Sequence, residues 1–357
     1  MKIVMTLLVR DEADIVDDQI RYHLEQGIDF VVATDHRSVD GTTEILRRHE
    51  REGRLHLIRE DGEALRQSDW VTRMARLAAT DFGANWVISS DADEFWWPRE
   101  GSFREVLSSV PERFGAVRGI WRHFVLRPDA DGPFHERMTV RRAPDPEWTS
   151  PYHVQVKVAH RADPEVVISR GNHDARGSGL VLVREWYPFE VLHFPIRSRE
   201  QLRRKYVTAS EAGLRGEGDR LPRHIEAASA ALRATAGDEI YQGFLVIDDA
   251  LAAGLADGSL QIDTRVRDVL RASTSGRAAG HPRPSLADDV ALAEEIDALQ
   301  DHDAAARLLT RINELERRLA AVEGPRLLFP SADPGTISGR GTESRRRHAA
   351  LFRGART

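Results

Sequence analysis

The apolar residues of this 357-residue chain fall into two regimes. From residue 1 to about 110, short apolar runs alternate with stretches in which apolar positions recur every three or four residues. Ile3 to Val9 is apolar apart from Thr6, as a strand buried on both faces of a parallel sheet would be. Val16, Ile20 and Leu24 fall at i, i+4 and i+8 and predict a helix, with Gly27 as its C-terminal stop. Phe30 to Ala33 predicts a second strand. Asp40 reads as the N-cap of a helix that carries Ile45 and Leu46 and ends near Gly53. Leu55 to Ile58 predicts a third strand, and a helix from about Leu65 to Asp81 leads to a fourth, Trp86 to Ser90. Strand and helix alternating at this spacing mean βαβ units and an α/β fold with a mostly parallel central sheet.

After about Pro111 the pattern changes. Val117 to Trp121, Met138 to Val140, Val154 to Val158 and Val166 to Ile168 predict short strands between Pro- and Gly-bearing loops, a mixed extension of the sheet. From Ser198 to about Ala272 the chain reads as helical. Residues 273–284, rich in Gly, Ser and Pro, read as a linker. Leu292, Ile296, Leu299, Leu309, Ile312, Leu319 and Val322 then predict an amphipathic helix or coiled coil over 285–324, a candidate surface for self-association. The stretch 325–357, with Arg345, Arg346 and Arg347 and few apolar residues, is expected to be a disordered basic tail.

Composition narrows the function. A formal net charge of -6 argues against a nucleic-acid binder. The absence of cysteine excludes a disulfide framework, a zinc–thiolate site and a cysteine nucleophile, and fits a reducing, cytoplasmic setting. The opening run could pass for a signal peptide, but it stops at Arg10-Asp11-Glu12 without a cleavage pattern and reads as a buried strand. No stretch approaches the ~18–20 apolar residues of a membrane span. Peripheral contact with acidic lipid through the basic tail stays open.

The chemistry lies at the strand ends. Asp91-Ala92-Asp93-Glu94-Phe95 follows the fourth strand, so two carboxylates one residue apart can face a hard divalent cation and a diphosphate. A D-x-D alone is expected about once or twice by chance in an acidic chain of this length. Here the first strand also ends in Val9-Arg10-Asp11-Glu12 and the second in Thr34 to Thr42, and the carboxyl ends of parallel strands converge on one crevice. There is no G-x-G-x-x-G after the first strand and no G-x-x-x-x-G-K-[ST]. Without a glycine cradle, a metal and cationic side chains must hold the diphosphate, with one carboxylate on the ion and the other on ribose or sharing the ion.

Taken in order, Val9-Arg10-Asp11-Glu12, Asp35 to Thr42, Trp86 to Phe95 and the distant Leu192-His193-Phe194-Pro195-Ile196-Arg197-Ser198, with Gln201 and Lys205 following, resemble family-2-type glycosyltransferases of the GT-A fold. The likeness is to the branch with D-A-D-E-F and a downstream H-[FY]-P-x-R-S, and it spans roughly residues 1–210. Asp11 departs from the commoner V-x-N-E. The resemblance implies a GT-A nucleotide-diphospho-sugar transferase sandwich over 1–215, with a nucleotide half (1–110) and an acceptor half (111–215), followed by a helical extension over 216–272. It implies that Val9, Arg10 and Glu12 line base and ribose, that Asp35 contacts the base, and that Ser38 and Asp40 shape the same loop. Asp91 would face ribose and metal, Asp93 would ligate the metal directly, and His193 would complete its shell. Manganese suits such a carboxylate, imidazole and phosphate set, with magnesium the alternative.

The implied activity is a metal-dependent, inverting transfer of a sugar from a nucleoside diphosphate donor to a hydroxyl-bearing acceptor. Lys157, Arg197 and Lys205 are candidates to assist the departing diphosphate. The sugar carbon passes through an oxocarbenium-like state, and a general base must reach the acceptor hydroxyl. Asp174, His173 and Glu136 are the candidates. Trp96, Trp97, Trp121 and Trp148 could stack on sugar rings, Trp96 and Trp97 foremost, although Trp is equally at home in a core. Two other classes stay open: a non-catalytic nucleotide-sugar or glycan-binding protein on the same scaffold, and a phosphohydrolase with Asp91 as nucleophile.

Overall fold

The alternation read from residues 1 to 90 is the architecture of the first half. Elements β1 (Ile3–Val9), α1 (Val16–Glu25), β2 (Phe30–His36), α2 (Thr42–Arg51), β3 (Leu55–Glu60), α3 (Gln67–Thr80) and β4 (Trp86–Asp91) follow in turn. The structure, a computed structural model, describes residues 1–128, 132–143, 154–205 and 238–274. All of these belong to one compact unit, Met1–Asp303. Trp148, the remainder of the expected linker from 275 onward, the amphipathic segment 285–324 and the basic tail lie outside the described residues.

Local chemistry sets the boundaries. Helix α1 ends where Gly27 takes φ 104°, a conformation that costs glycine nothing, and Ile28 N donates to His23 O at 2.9 Å to close the last turn. Ahead of α2, Asp40 Oδ1 accepts from Thr42 N at 3.1 Å and from Thr42 Oγ1 at 2.6 Å, but the N-cap is Gly41, at φ 102° and without a side-chain cap, so Asp40 stands one residue before the position expected of it. Its other oxygen accepts from Ala13 N at 3.0 Å, tying the loop after β2 to the loop after β1.

The second half adds β5 (Glu94–Pro98), α4 (Phe103–Ser109), β6 (Ala116–His123), α5 (Phe134–Arg137), β7 (Val140–Arg142), β8 (Val156–Arg161), β9 (Val167–Ile168), β10 (Ala175–Arg176) and β11 (Phe189–His193). Eight strands form one sheet in the order β3-β2-β1-β4-β8-β6-β11-β5. The pairs β2–β3, β1–β2, β1–β4 and β6–β11 are parallel, while β8 and β5 run against their neighbours. One face packs Met5, Leu7 and Val9 against Val16, Ile20, Leu46, Phe103 and Leu107 from α1, α2 and α4. The other packs Val4, Val32 and Val87 against Val71, Met74 and Ala78 of α3. Both faces of β1 are therefore buried, which is why it is apolar at every position but Thr6, itself buried.

Several expectations are displaced. The apolar segment at 138–140 forms its strand two residues later, because Met138 closes the short helix α5. The strand expected at Val154 begins at Val156 and runs on to Arg161. Trp96 and Trp97 do not face an acceptor. They lie on β5, which folds back antiparallel to β11, and both are buried in the core. The region expected to be helical from Ser198 to Ala272 contains helical residues 199–205, then α6 (Asp238–Phe244), α7 (Asp248–Asp257) and α8 (Arg265–Thr274), interrupted by a strand, β12 (Leu260–Ile262). β12 pairs with β7, and Val266, Val269 and Leu270 of α8 pack with Phe95, Phe134 and Phe194. Helix α8 runs through Thr274, so the described part of the expected linker, Ser273 and Thr274, is helical. Among the described residues no helix is long and apolar enough to cross a membrane.

Candidate active site

Strand register brings the polar residues to one edge of the sheet. Val9 is level with Asp35, Leu8 with Asp91, and His123 with His193. Because β8 and β5 run the other way, it is their N-terminal residues, Lys157 and Glu94, that reach the same edge. Glu94 is directly level with His193. Three of the four non-glycine residues with positive φ in the described chain, Asp11, Arg37 and Asn172, lie in segments that meet this edge. Such strained positions concentrate where backbone is held for a purpose.

Asp93 is the centre. Its Oδ2 accepts from Lys205 Nζ at 2.5 Å and lies 3.5 Å from His193 Nε2 and 4.0 Å from an Arg197 nitrogen. Burial works against its ionisation, but Lys205, His193 and Arg197 together hold its carboxyl well below the usual range. Arg197 is fully buried and bridges the loop after β1 to the exit of β11. It donates to Glu12, to Asp14 Oδ2 at 2.7 Å and Oδ1 at 2.9 Å, and to Phe194 O at 3.0 Å.

Asp91 sits beside this group with 27% of its side chain exposed. Lys157 Nζ donates to its Oδ2 at 2.7 Å and Asn172 Nδ2 to its Oδ1 at 3.2 Å. Lys157, only 1% exposed, also reaches Glu94 Oε1 at 2.8 Å. Glu94 further accepts from Trp121 Nε1 at 3.0 Å and from Asp91 N at 3.0 Å, so its oxygens are occupied by donors from three segments. Burial, with Asp91 and Asp93 alongside, pushes Glu94 up to about 8 against the pull of Lys157. Burial likewise lifts Glu12 to about 7, opposed by Arg197 and Lys205.

Charge counting is informative. The linked cluster holds the carboxylates of Asp91, Asp93, Glu94, Glu12 and Asp14 against the cations of Lys157, Lys205 and Arg197. Fully ionised, it would carry two negative charges in excess; with Glu94 raised to about 8 and Glu12 to about 7, protonation of these two groups removes part of that excess near neutral pH. Asp93, Glu94 and His193 offer ligand atoms that all lie within 4.8 Å of one another. Burial keeps the His193 ring neutral despite Asp93, and a neutral ring is the ligating form. Oxygen and imidazole donors in this set fit manganese or magnesium.

The base-side residues are organised but largely enclosed. Asp35 is buried and accepts from Thr43 Oγ1 at 2.5 Å and Ser38 N at 3.1 Å, so it shapes the loop from beneath. Ser38 Oγ accepts from Asp11 N at 3.0 Å, and Val9 is buried in the core. Arg10 stays partly exposed, within 3.4 Å of His36 Nδ1.

The three candidates for a general base are placed differently. His173 Nδ1 donates to Val156 O at 2.7 Å, and its ring meets Trp121 edge-on at 5.7 Å; burial and then Lys157 push it down to about 4. Asp174, half-exposed, pairs with Arg176 at 3.2 Å. Glu136 is bound through both oxygens by Arg271 of α8 and touches no member of the Asp91–Asp93 cluster in the contacts observed. Sequence reasoning missed Glu94, Asp14, Asn172 and His123 as parts of the site. Only Glu94 carried a signal, as the fourth residue of the D-A-D-E-F run.

No protein-family model and no curated protein matches the chain. Among solved structures, the 1–349 fragment of TarS from S. aureus in complex with UDP overlaps it with a TM-score of 0.33 at 11% identity, over 65% of this chain and 70% of that one. The same fragment in complex with UDP-GlcNAc gives 0.34 at 11%, over 65% and 71%. Glucosyl-3-phosphoglycerate synthase from Mycobacterium tuberculosis, in complex with Mn2+, UDP and glucosyl-3-phosphoglycerate, gives 0.25 at 16%, over 34% and 44%. These overlaps are low and partial, and the functional reading rests on the residues described above.

Proposed function

We propose that this chain is a metal-dependent, inverting glycosyltransferase of the GT-A type that moves a sugar from a nucleoside diphosphate donor to a hydroxyl-bearing acceptor. The observation that carries the reading is the convergence of Asp93, Glu94 and His193 at the carboxyl edge of the sheet, with ligand atoms within 4.8 Å of one another and Asp93 facing His193 at 3.5 Å. Asp93 and His193 are the proposed protein ligands of Mn2+ or Mg2+. Asp91, the more exposed carboxylate, serves the ribose or the outer side of the ion. When bound, the cation stabilises negative charge on the departing diphosphate.

The chain's own residues do the rest. Arg10, Ser38 and Asp40 shape the base end of the crevice. Lys205 is the cation with access to the donor, since 38% of its side chain is exposed. Lys157 and Arg197, enclosed by carboxylates, act from below by fixing those carboxylates in place. In the transfer, the bond from the anomeric carbon to the diphosphate oxygen breaks with its electron pair leaving on the diphosphate. The acceptor oxygen forms the new bond from the opposite face and yields its proton to a base. For that base the proposal narrows to Asp174 and His173; Glu136 is set aside because Arg271 occupies both of its oxygens.

A panel of nucleotide sugars screened by thermal shift with and without Mn2+ tests this. A donor present at 100 times its Kd stabilises the native state by about 2.7 kcal/mol. One class of nucleotide sugar is expected to raise Tm only with the metal, and no such ligand in the panel would overturn the reading.

A further inference from the structure

We propose that His123 is a positioning residue that sets the ring orientation and tautomer of His193 for metal binding. This rests on the metal reading above and assigns a role to a residue outside the proposed ligand set. His123 and His193 close the adjacent parallel strands β6 and β11 and are level in register, so their side chains leave the same face at the same height. Their Nδ1 atoms are 3.1 Å apart, a hydrogen-bond distance, with ring centroids at 5.1 Å. The other nitrogen of His193, Nε2, points to Asp93 at 3.5 Å. Trp121, two residues before His123 on the same strand, stacks on the His193 ring at 4.4 Å with the planes 18° apart. The imidazole is thus clamped in plane by Trp121 and in rotation by His123.

The tautomers follow from this geometry. A neutral histidine that offers its Nε2 lone pair to a cation carries its proton on Nδ1 and must donate it. The atom facing that proton is His123 Nδ1, which must then be the acceptor, with the His123 proton on Nε2. Ligating histidines commonly donate this proton to a carboxylate. Here the acceptor is a neutral imidazole, which adds no further carboxylate to a cluster that already contains Asp91, Asp93 and Glu94.

The test compares His123→Leu, His123→Asn and His123→Gln, with Mn2+ affinity measured by electron paramagnetic resonance and folding by circular dichroism melts. Asn places its carbonyl oxygen near the position of Nδ1, whereas Gln places its own near Nε2. The leucine variant is expected to bind Mn2+ about 10- to 100-fold more weakly than wild type, with Asn restoring most of that loss and Gln little of it. If leucine prevents folding, the Asn-against-Gln contrast decides alone. Unchanged Mn2+ affinity in all three variants, or equal losses in all three, would overturn the role of His123 while leaving the metal site standing. Absence of Mn2+ binding by the wild-type protein would remove the metal reading and this proposal together.

Discussion

Lys157→Met is the perturbation whose size the structure lets one work out. Lys157 is enclosed, and its ammonium is the shared counterion of Glu94 and Asp91 at 2.8 and 2.7 Å. Methionine keeps most of the side-chain volume, so packing against Trp121 is nearly preserved and the charge is what is lost. Two unit charges about 4 Å apart at an effective dielectric of about 20 interact by about 4 kcal/mol. That scale applies to buried Glu94, whereas partly exposed Asp91 contributes up to about 1 kcal/mol. Removing one partner of a buried pair typically costs about 3–5 kcal/mol, and urea unfolding should approach that loss at about pH 9.5, where Glu94 of the wild type, raised to about 8, is ionised. The deficit should shrink toward about pH 7, below the value of about 8 that Glu94 holds with Lys157 in place, because Glu94 is then largely protonated in both proteins. Unfolding curves of both proteins at the two pH values provide the assay. A deficit below about 1 kcal/mol, within the range of ordinary surface pairs, or one that does not change with pH, would refute the reasoning.

Two further outcomes follow from the same cluster. Arg197→Lys keeps the charge but loses the fork that serves Glu12, Asp14 and Phe194 O together, so urea unfolding should show a loss of about 1.5–3 kcal/mol for each charged hydrogen bond given up; a change within about 0.5 kcal/mol, as at an ordinary surface site, would contradict the bridging role. The metal-free protein should be most stable near about pH 6.5. Buried His23, His160 and His173, lowered to about 4, withdraw stability as pH falls below their unfolded value, while Glu12 and Glu94, raised to about 7 and 8, withdraw it as pH rises through those values. Thermal melts from pH 5 to 9 check this, and Mn2+ should flatten the alkaline fall; a stability that keeps climbing to pH 9 without metal would contradict it.

The first 90 residues were legible because each element there announces itself by one period. Ile3–Val9 is buried on both faces and apolar at all positions but Thr6, and α1 and α3 each bury one stripe. Local chemistry was legible to within a residue: Asp40 accepts from Thr42 N at the start of α2, but the N-cap itself is Gly41. The capping box of α4, in which Ser102 Oγ accepts from Glu105 N at 3.2 Å and Glu105 Oε2 from Ser102 N at 2.8 Å, is likewise local, a Ser with a Glu three residues on. What escaped is what depends on strand order. Glu94 and the two tryptophans after it look like a loop beside a metal motif until β5 is seen to turn back along β11. The same antiparallel reversal of β8 delivers Lys157 to Asp91 from 66 positions away. Asp14 gives no sign that its partner, Arg197, lies 183 residues further on. His123 acquires meaning only from its register with His193.

The central claim is that Asp93 and His193 hold a divalent cation on which a nucleoside diphosphate is gripped. Isothermal titration of the full chain with Mn2+, in the presence of a nucleoside diphosphate, tests it most directly when wild type, Asp93→Ala and His193→Ala are run side by side. The account expects one Mn2+ bound by wild type and a loss of affinity of at least about tenfold, or about 1.4 kcal/mol, in each variant. Equal Mn2+ binding by all three proteins, or none by wild type, would contradict it.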